Sequence, residues 1–355
     1  MSVTMQQIAK IAGVSRGTVD RVLNERPGVN PDTYKKVKEI AERLNYRPNL
    51  AARALKFSHR SCKIGVLMMD HNEFTDQIRS GMEKTMENYS EIDVELSFAY
   101  CPSNSAAVIK AIDDLIASGI SCLAIRSFDD MQICDKINEV SKNGTPVLTF
   151  NTDIQNINRL CYIGENSIAT GRVAAELMAI ALREHGNVLV ATSSSIAACK
   201  TRSRNFVNLL TYRYPDINIV DQIELDAGED AIAQFMSYLN CKNIDGIYIT
   251  ETKHINRIMQ FLCDHPLNSR FSVITHDILP SVVEQIFDDN FVKFLIGQEP
   301  EKQGALCIKI LVDYIYYGII PPKEIYTNID IRVKDTAATS SSGVFTQSST
   351  FSSIY

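Results

Sequence analysis

Two kinds of periodicity divide this 355-residue chain and predict a multidomain protein, a small all-α helix–turn–helix unit followed by a large α/β body. Residues 1–58 carry short apolar stripes at helical spacing, broken by Gly13 and by Asn30-Pro31. From Lys63 onward, short apolar runs alternate with amphipathic stretches, the pattern of parallel strands covered by helices. Charge divides the chain at the same place. Residues 1–60 hold twelve Lys and Arg against five Asp and Glu, a balance of +7, while the remainder carries −13. A basic front on an acidic body directs only the front toward a polyanion.

In the front, Thr4 is placed to cap a first helix, with Gln7 three residues on completing a capping box. Met5, Ile8, Ala9 and Ala12 then form its buried stripe. Gly13 ends the helix, because a left-handed position costs glycine no Cβ clash. Ser15 caps a second helix, Arg16–Leu23, with Val19, Val22 and Leu23 inward and Arg16, Gly17, Thr18, Asp20 and Arg21 outward. Pro31 opens a third helix, whose Val37, Ile40, Ala41 and Leu44 close a three-helix core. Asn49 then precedes Leu50-Ala51-Ala52-Arg53-Ala54-Leu55-Lys56. This segment is far shorter than the roughly 12–15 residues at which an isolated helix becomes marginal in water. It is read as a helix that orders only on docking, with Leu55 free to wedge into a minor groove.

In the body, strands are expected at 64–69, 94–100, 122–125, 147–150, 188–191, 217–225, 246–250, 272–275 and 293–296. Helices are expected at 74–89, 106–117, 133–142, 169–183, 202–212, 230–239, 255–262, 282–287 and 303–316. Nine units exceed one compact sheet, so two Rossmann-like subdomains with a cleft between them are predicted. Ligands of open α/β sheets sit beyond the carboxyl ends of the strands. The residues there are polar: Asp70, His71, Asn72, Glu73 and Phe74; Arg126, Ser127 and Asp129; Asn151, Thr152 and Asp153; Ser193–Ser195; Glu251; His276 and Asp277; Gln298. Amides, carboxylates and an aromatic ring converging on one cleft suit a polyhydroxy or planar heterocyclic ligand.

Several classes are disfavoured. Nine scattered cysteines without a C-x-x-C pair read as free thiols in a reducing compartment. No signal-peptide pattern and no run of about 18 apolar residues are present, so a cytoplasmic protein without a membrane partner is expected. The six histidines lack metal-ligand spacing, and neither a phosphate-binding glycine loop nor a G-x-S-x-G elbow occurs. No catalytic residue, metal or cofactor is therefore assigned. Residues 336–355, rich in Ser and Thr, read as a flexible tail.

Thr4–Ala9, Ala12–Ser15, Thr18-Val19, Arg21–Asn24 and Leu44–Asn49 resemble the headpiece of the lactose-repressor (LacI/GalR) family of bacterial transcription factors. The likeness runs almost without gaps over residues 3–56. It implies a headpiece at 1–58 with a hinge helix at 49–56, a recognition helix from Arg16 to Asn24, and double-stranded operator DNA as partner. The DNA-contacting set it implies is Thr4, Ser15, Arg16, Gly17, Thr18, Arg21, Asn24, Asn49, Ala52 and Leu55. Arg21 matches an arginine that contacts a base edge, and Leu55 the lever residue of the hinge. Two departures stand out: Gly17 leaves base reading to Arg16 and Arg21, and Asp20 replaces a small hydroxyl residue.

Residues 59–335 likewise resemble the type I periplasmic sugar-binding fold. This implies a small-molecule effector, a sugar or sugar derivative, bound by Asn72, Phe74, Arg126, Asn151, Asp153, Arg202, Asp277 and Gln298. Arg126, where a small residue is common, raises the prospect of an acidic or phosphorylated sugar. The function implied is a ligand-responsive regulator, a repressor acting as a homodimer on a palindromic operator. A purine- or nucleoside-responsive member of the same family is the alternative, with Phe74 stacking the base. A sugar-processing enzyme or a simple solute-binding protein are more distant ones.

Overall fold

The computed structural model describes residues 5–23, 28–44, 62–241, 243–250, 271–277 and 292–334, with single positions 255, 258, 261 and 336. The front unit contains α1 (Met5–Ala12), α2 (Arg16–Leu23) and α3 (Pro31–Arg43). Ile8, Ala9 and Ala12, Val19 and Val22, and Val37, Ile40 and Ala41 form its core, with Met5, Leu23 and Leu44 packed partly buried around them. Gly13 turns the chain at φ +70°, and the Val14 N–H donates to the Ala9 carbonyl at 3.1 Å. Ser15 then caps α2, its Oγ accepting the Thr18 N–H at 3.0 Å. Asn30 Oδ1 accepts the Asp32 N–H at 2.8 Å, and Pro31, with no N–H to satisfy, begins α3.

The body holds two six-stranded sheets. The first is built from β1 (Cys62–Met69), β2 (Val94–Cys101), β3 (Cys122–Arg126), β4 (Val147–Phe150), β5 (Cys161–Gly164) and β11 (Glu324–Tyr326). The second contains β6 (Gly186–Thr192), β7 (Ile217–Glu224), β8 (Gly246–Ile249), β9 (Ser272–His276), β10 (Val292–Gly297) and β12 (Asp330–Arg332). The strand orders are β11-β5-β4-β3-β1-β2 and β12-β10-β9-β8-β6-β7. All pairings are parallel except β10 with β12. Each sheet therefore repeats one doubly wound pattern, with its switch point between β1 and β3 or between β6 and β8. The near-continuous burial of β1, β3, β4, β8 and β9 is what a sheet covered on both faces requires.

The helices α4 (Glu73–Met86), α5 (Ser105–Ala117) and α6 (Met131–Lys142) follow strands of the first sheet; α7 (Ser167–Leu182), α8 (Ala197–Arg213) and α9 (Glu229–Cys241) belong to the second. α10 (Pro300–Val312) leaves a strand of the second sheet but packs on α4, in the first lobe. The chain thus passes between lobes three times: after β5, after β10 and between β11 and β12.

Glycines allow the α4–α10 crossing. A Cβ on Gly81 would lie 1.9 Å from the Glu301 carbonyl oxygen, and one on Gly304 would lie 2.0 Å from that of Ile78. Gly171 of α7 meets the Arg202 backbone of α8 in the same way, at 2.3 Å.

The expected fold class agrees with this architecture, with differences in detail. β5, β11 and β12 were not anticipated, being three- or four-residue strands too short for a periodic signal. α8 begins at Ala197 rather than Arg202, because its N-cap is Ile196, which offers no side-chain cap. The expected helices at 255–262 and 282–287 and the tail lie outside the described residues, apart from the single positions given above. No helix among the described residues is long and apolar enough to cross a membrane.

Gly304→Ala is expected to lower the stability of the body by about 1–3 kcal/mol, since the obstacle is backbone rather than a movable side chain. A urea titration would read this as a lower midpoint at unchanged slope; an unchanged midpoint would show that the two helices part freely.

Candidate functional site

Three strands end in a non-glycine residue held in the left-handed region: Asp70 after β1 (φ 54°), Asn151 after β4 (φ 61°) and Asp277 after β9 (φ 64°). Asn and Asp are the side chains that tolerate this conformation best. Each extends its sheet by one bond before the chain turns. The N–H groups of Asp70, Asn151 and Asp277 donate to the carbonyls of Cys101, Ile163 and Ile296 at 3.1, 2.8 and 2.9 Å. The turn delivers all three side chains to one cavity of about 460 Å³ between the lobes. Asp70, Asn72, Glu73, Phe74, Arg126, Asn151, Thr152, Ile196, Ala198, Cys199, Arg202, Asp277 and Gln298 line it.

Four of these residues form a hydrogen-bonded chain across the cleft. Arg126 Nε donates to Asn151 Oδ1 at 2.8 Å. Asn151 Nδ2 donates to Gln298 Oε1 at 3.0 Å, and Gln298 Nε2 donates to Asp277 Oδ1 at 2.6 Å. Arg126 also donates from its Nη1 to the Met69 carbonyl at 2.9 Å. Burial works against its charge, while the carboxylates of Asp70 and Asp277 support it. Burial raises the Asp277 carboxyl above the ordinary carboxylate range, opposed by Arg202 and by the Gln298 bond.

Arg202, on α8, is 4% exposed and pairs with Glu165, also 4% exposed, through Nε and Nη2 at 2.6 Å each. Its Nη1 donates to the Thr250 carbonyl at 2.8 Å, and Ser167 Oγ donates to Glu165 Oε1 at 2.8 Å. Burial opposes the guanidinium charge, but Glu165 outweighs it and holds the Arg202 pKa well above normal. Behind this pair, Tyr248 Oη lies 2.7 Å from His276 Nε2, and Phe206 stacks on Tyr248 at 4.2 Å. Burial, reinforced by Arg202, pushes the His276 pKa well below its usual value. The imidazole is therefore neutral and shares a single proton with the Tyr248 hydroxyl in this bond, the tautomer setting which of the two donates.

Opposite Phe74, the N-terminus of α8 supplies an apolar wall of Ile196, Ala198 and Cys199. The loop before it is clamped by Asp226, which accepts from Ser193 Oγ and the Ser195 N–H, both at 2.8 Å, and from the Ser194 N–H at 3.2 Å. Burial opposes that charge, but the serine hydroxyls and N–H groups win and hold the Asp226 carboxyl well below the ordinary range. Asn72 has a second task. Its Oδ1 caps α4 by accepting the Thr75 N–H at 3.0 Å, and Thr75 Oγ1 accepts the Asn72 N–H at 2.9 Å.

Seven of the eight residues anticipated for the ligand line the cavity. Asp153 does not. It spends its carboxylate on Arg159, through Nε and Nη2 at 2.7 Å each, and on Thr149 Oγ1 at 3.0 Å. Thr152 takes its place at the cavity. Ile196, Ala198 and Cys199 are apolar and so stand outside the expected polar set, although the Ser193–Ser195 run just before them marks the same strand end. In the front unit Ser15, Arg16, Gly17 and Arg21 are exposed and Thr18 is half-buried. Ser15 Oγ and Thr18 Oγ1 lie 2.9 Å apart. Around Gly17 the nearest atom to an added Cβ would be Ser15 Oγ at 3.7 Å, so nothing crowds that face. Thr4, Asn24, Asn49, Ala52 and Leu55 lie outside the described residues.

Two doubly wound sheets joined by three crossovers, with polar residues at the strand ends facing one cleft, define a two-lobed binding protein. Residues 64–318 match the periplasmic binding protein domain family, to which the chain belongs, and residues 4–49 match the bacterial regulatory proteins, lacI family. The chain is 43% identical over 95 residues to catabolite control protein A of Staphylococcus epidermidis, covering 26% of this chain and 29% of that protein. It is 32% identical over 162 residues to the HTH-type transcriptional regulator RegA of Clostridium saccharobutylicum, covering 43% and 46%. The matched stretches thus span less than half of either relative. In fold, the chain is similar to an ABC transporter solute binding protein of Bacillus halodurans with bound myo-inositol. That match has a TM-score of 0.70 at 17% identity and covers 79% of this chain and 98% of the other.

The His276 environment predicts acid sensitivity. With its folded pKa below the unfolded value of about 6.5, the folded state binds fewer protons, and stability falls as pH drops below about 6.5. Urea midpoints measured from pH 7.5 to 5 should decline for the native chain and decline less steeply for His276→Gln. Parallel slopes would remove His276 as the cause.

Proposed function

We infer that this chain is a ligand-responsive, DNA-binding transcriptional regulator, a repressor that binds a palindromic operator as a homodimer in the cytoplasm. The carrying observation is the coexistence of a lacI-family region at 4–49 with a polar cleft between two lobes. In this reading, residues 1–58 read DNA, with 49–56 as hinge, and 59–335 sense the effector. A recognition helix with Arg16 and Arg21 exposed and Gly17 bare suits a major groove, where a guanidinium pairs with guanine O6 and N7. Two copies related by a two-fold axis would read two half-sites. Effector binding would change the lobes and thereby the hinge, with a coupling of about 1–3 kcal/mol typical of such linkage.

The chemistry of the cleft favours a neutral polyhydroxy effector of sugar or cyclitol type. Arg202 is paired with Glu165, and Arg126, bonded to Asn151 and the Met69 carbonyl, has its charge supported by the carboxylates of Asp70 and Asp277. Three carboxylates, Asp70, Glu73 and Asp277, line the same cavity as the two guanidiniums, which argues against the anionic sugar that Arg126 alone suggested. Asp277, Asn151 and Gln298 supply acceptors and donors for hydroxyls, and Phe74 offers a face for an apolar ring side. The cavity volume lies within the 300–1,000 Å³ usual for small-molecule sites.

Two measurements test this reading. Duplexes selected from a random pool by the purified chain should contain a palindrome, and Arg21→Ala should weaken binding to it by about 1–3 kcal/mol in a gel shift. Undiminished binding would remove that role from Arg21. A thermal-shift screen should give stabilisation by neutral sugars or cyclitols, abolished by Asp277→Ala. Stabilisation by sugar phosphates or nucleobases alone would overturn the effector class.

A further inference from the structure

The three passages between the lobes converge on Thr327, which lies between β11 and β12 and is 5% exposed. Its N–H donates to the Gly164 carbonyl at 2.8 Å, at the first passage. Its hydroxyl has one proton and two carbonyls in reach, Gln298 at 3.0 Å and Gly164 at 3.2 Å. Because Gly164 already receives the Thr327 N–H, the shorter contact to Gln298, at the second passage, is the one that needs the hydroxyl. The same Gln298 carbonyl accepts Gln303 Nε2 at 2.8 Å, from a fully buried side chain on α10. The Asn328 N–H, next to Thr327, donates to Glu299 Oε2 at 2.8 Å.

Gln298 therefore has two attachments that point in opposite directions. Its side-chain amide stands in the cavity between Asn151 and Asp277. Its main-chain carbonyl, outside any helix or strand ladder, is held by side chains from Gln303 and Thr327. Glu299, which follows, sits in the left-handed region at φ 51°, so this backbone keeps its shape only where its surroundings impose it.

We propose that Thr327 is a positioning residue of the cleft: without touching the cavity, its N–H and hydroxyl together tie the three inter-lobe passages, and the hydroxyl fixes the peptide that presents Gln298. Its consequence for ligand binding rests on the cleft being the effector site, but the positioning itself is testable with no ligand. Thr327→Val keeps the shape and the N–H bond and removes only the hydroxyl. Thr327→Ser keeps the hydroxyl.

Hydrogen exchange of the full chain reads each passage separately. Thr327→Val should exchange up to about ten-fold faster in peptides covering 298–299 and 327–329, with β1 and β9 unchanged. Thr327→Ser should match the native chain. Gln303→Leu, which removes the other donor to the same carbonyl, should accelerate 298–299 and leave 164–166 as it was. Equal exchange at the passages in Thr327→Val, or an acceleration shared by β1 and β9, would overturn the proposal, as would a serine variant no better than valine. A polyol that stabilises the native chain but fails to do so for Asp277→Ala addresses the ligand reading independently of these outcomes.

Discussion

The body depends on a charged pair buried in the passage between its lobes. Glu165 stands where the chain leaves the first sheet, and Arg202 reaches it from α8 of the second. Neither charge has water to fall back on, so each is tolerable only because the other is present. Removing one partner of such a pair typically costs about 3–5 kcal/mol, far more than the pair adds over an apolar replacement. The remaining donors are satisfied in kind: Thr250 accepts from Arg202, and Ser167 donates to Glu165. The arrangement contributes less to net stability than to uniqueness, because only one placement of α8 against the first passage satisfies every group. Gly171 makes that placement possible by letting the Arg202 backbone come within the space a Cβ would occupy.

From this pair the site assembles outward by a single device used at three strand ends. A strand in a parallel sheet delivers its last residue in line with the strand, and a side chain must be turned to enter the cleft. Left-handed backbone at Asp70, Asn151 and Asp277 accomplishes the turn after one more ladder bond. The polar tips then meet each other before they meet a ligand, in the chain Arg126–Asn151–Gln298–Asp277. Under the proposed function, a ligand hydroxyl entering this chain would exchange one hydrogen bond for another, so affinity would come from apolar contact with Phe74, from displaced water and from geometry rather than from bond count.

Much of this was legible in the sequence, for reasons that differ between regions. The central strands are read easily, because a buried parallel strand is a near-continuous apolar run, and Asp70, Asn151 and Asp277 are found by looking just past those runs. Asp153 misleads for the same reason: it follows β4 by only three residues, and the position of Arg159, six residues on, is what takes its carboxylate away from the cavity. α8 begins earlier than expected because Ile196 gives no capping signal. α10 begins at Pro300 rather than Gln303, because proline needs no N–H partner at a helix start and the apolar spacing sets in only later. Glu165 is legible only as part of Ile163–Asn166, a segment that resembles the family's crossing into the second subdomain, and Thr327 carries no signal. Their importance lies in contacts made with residues 37 and 29 positions away, and no local pattern carries such a pairing.

The two parts of the chain also divide their electrostatics. In the body, Arg202 of the cleft is paired with Glu165, and residues 61–355 as a whole carry an acidic surplus. In the front unit, Arg16 and Arg21 are exposed on the helix whose opposite side, Val19 and Val22, is fully buried in the three-helix core. Gly17 lies between them on the exposed side and adds no side chain of its own. It costs α2 about 1 kcal/mol relative to alanine, a cost with no steric cause, since an alanine Cβ there would meet nothing closer than 3.7 Å. The fold itself does not require glycine here, and under the proposed function bare backbone flanked by two guanidiniums suits close approach to a flat, charged surface.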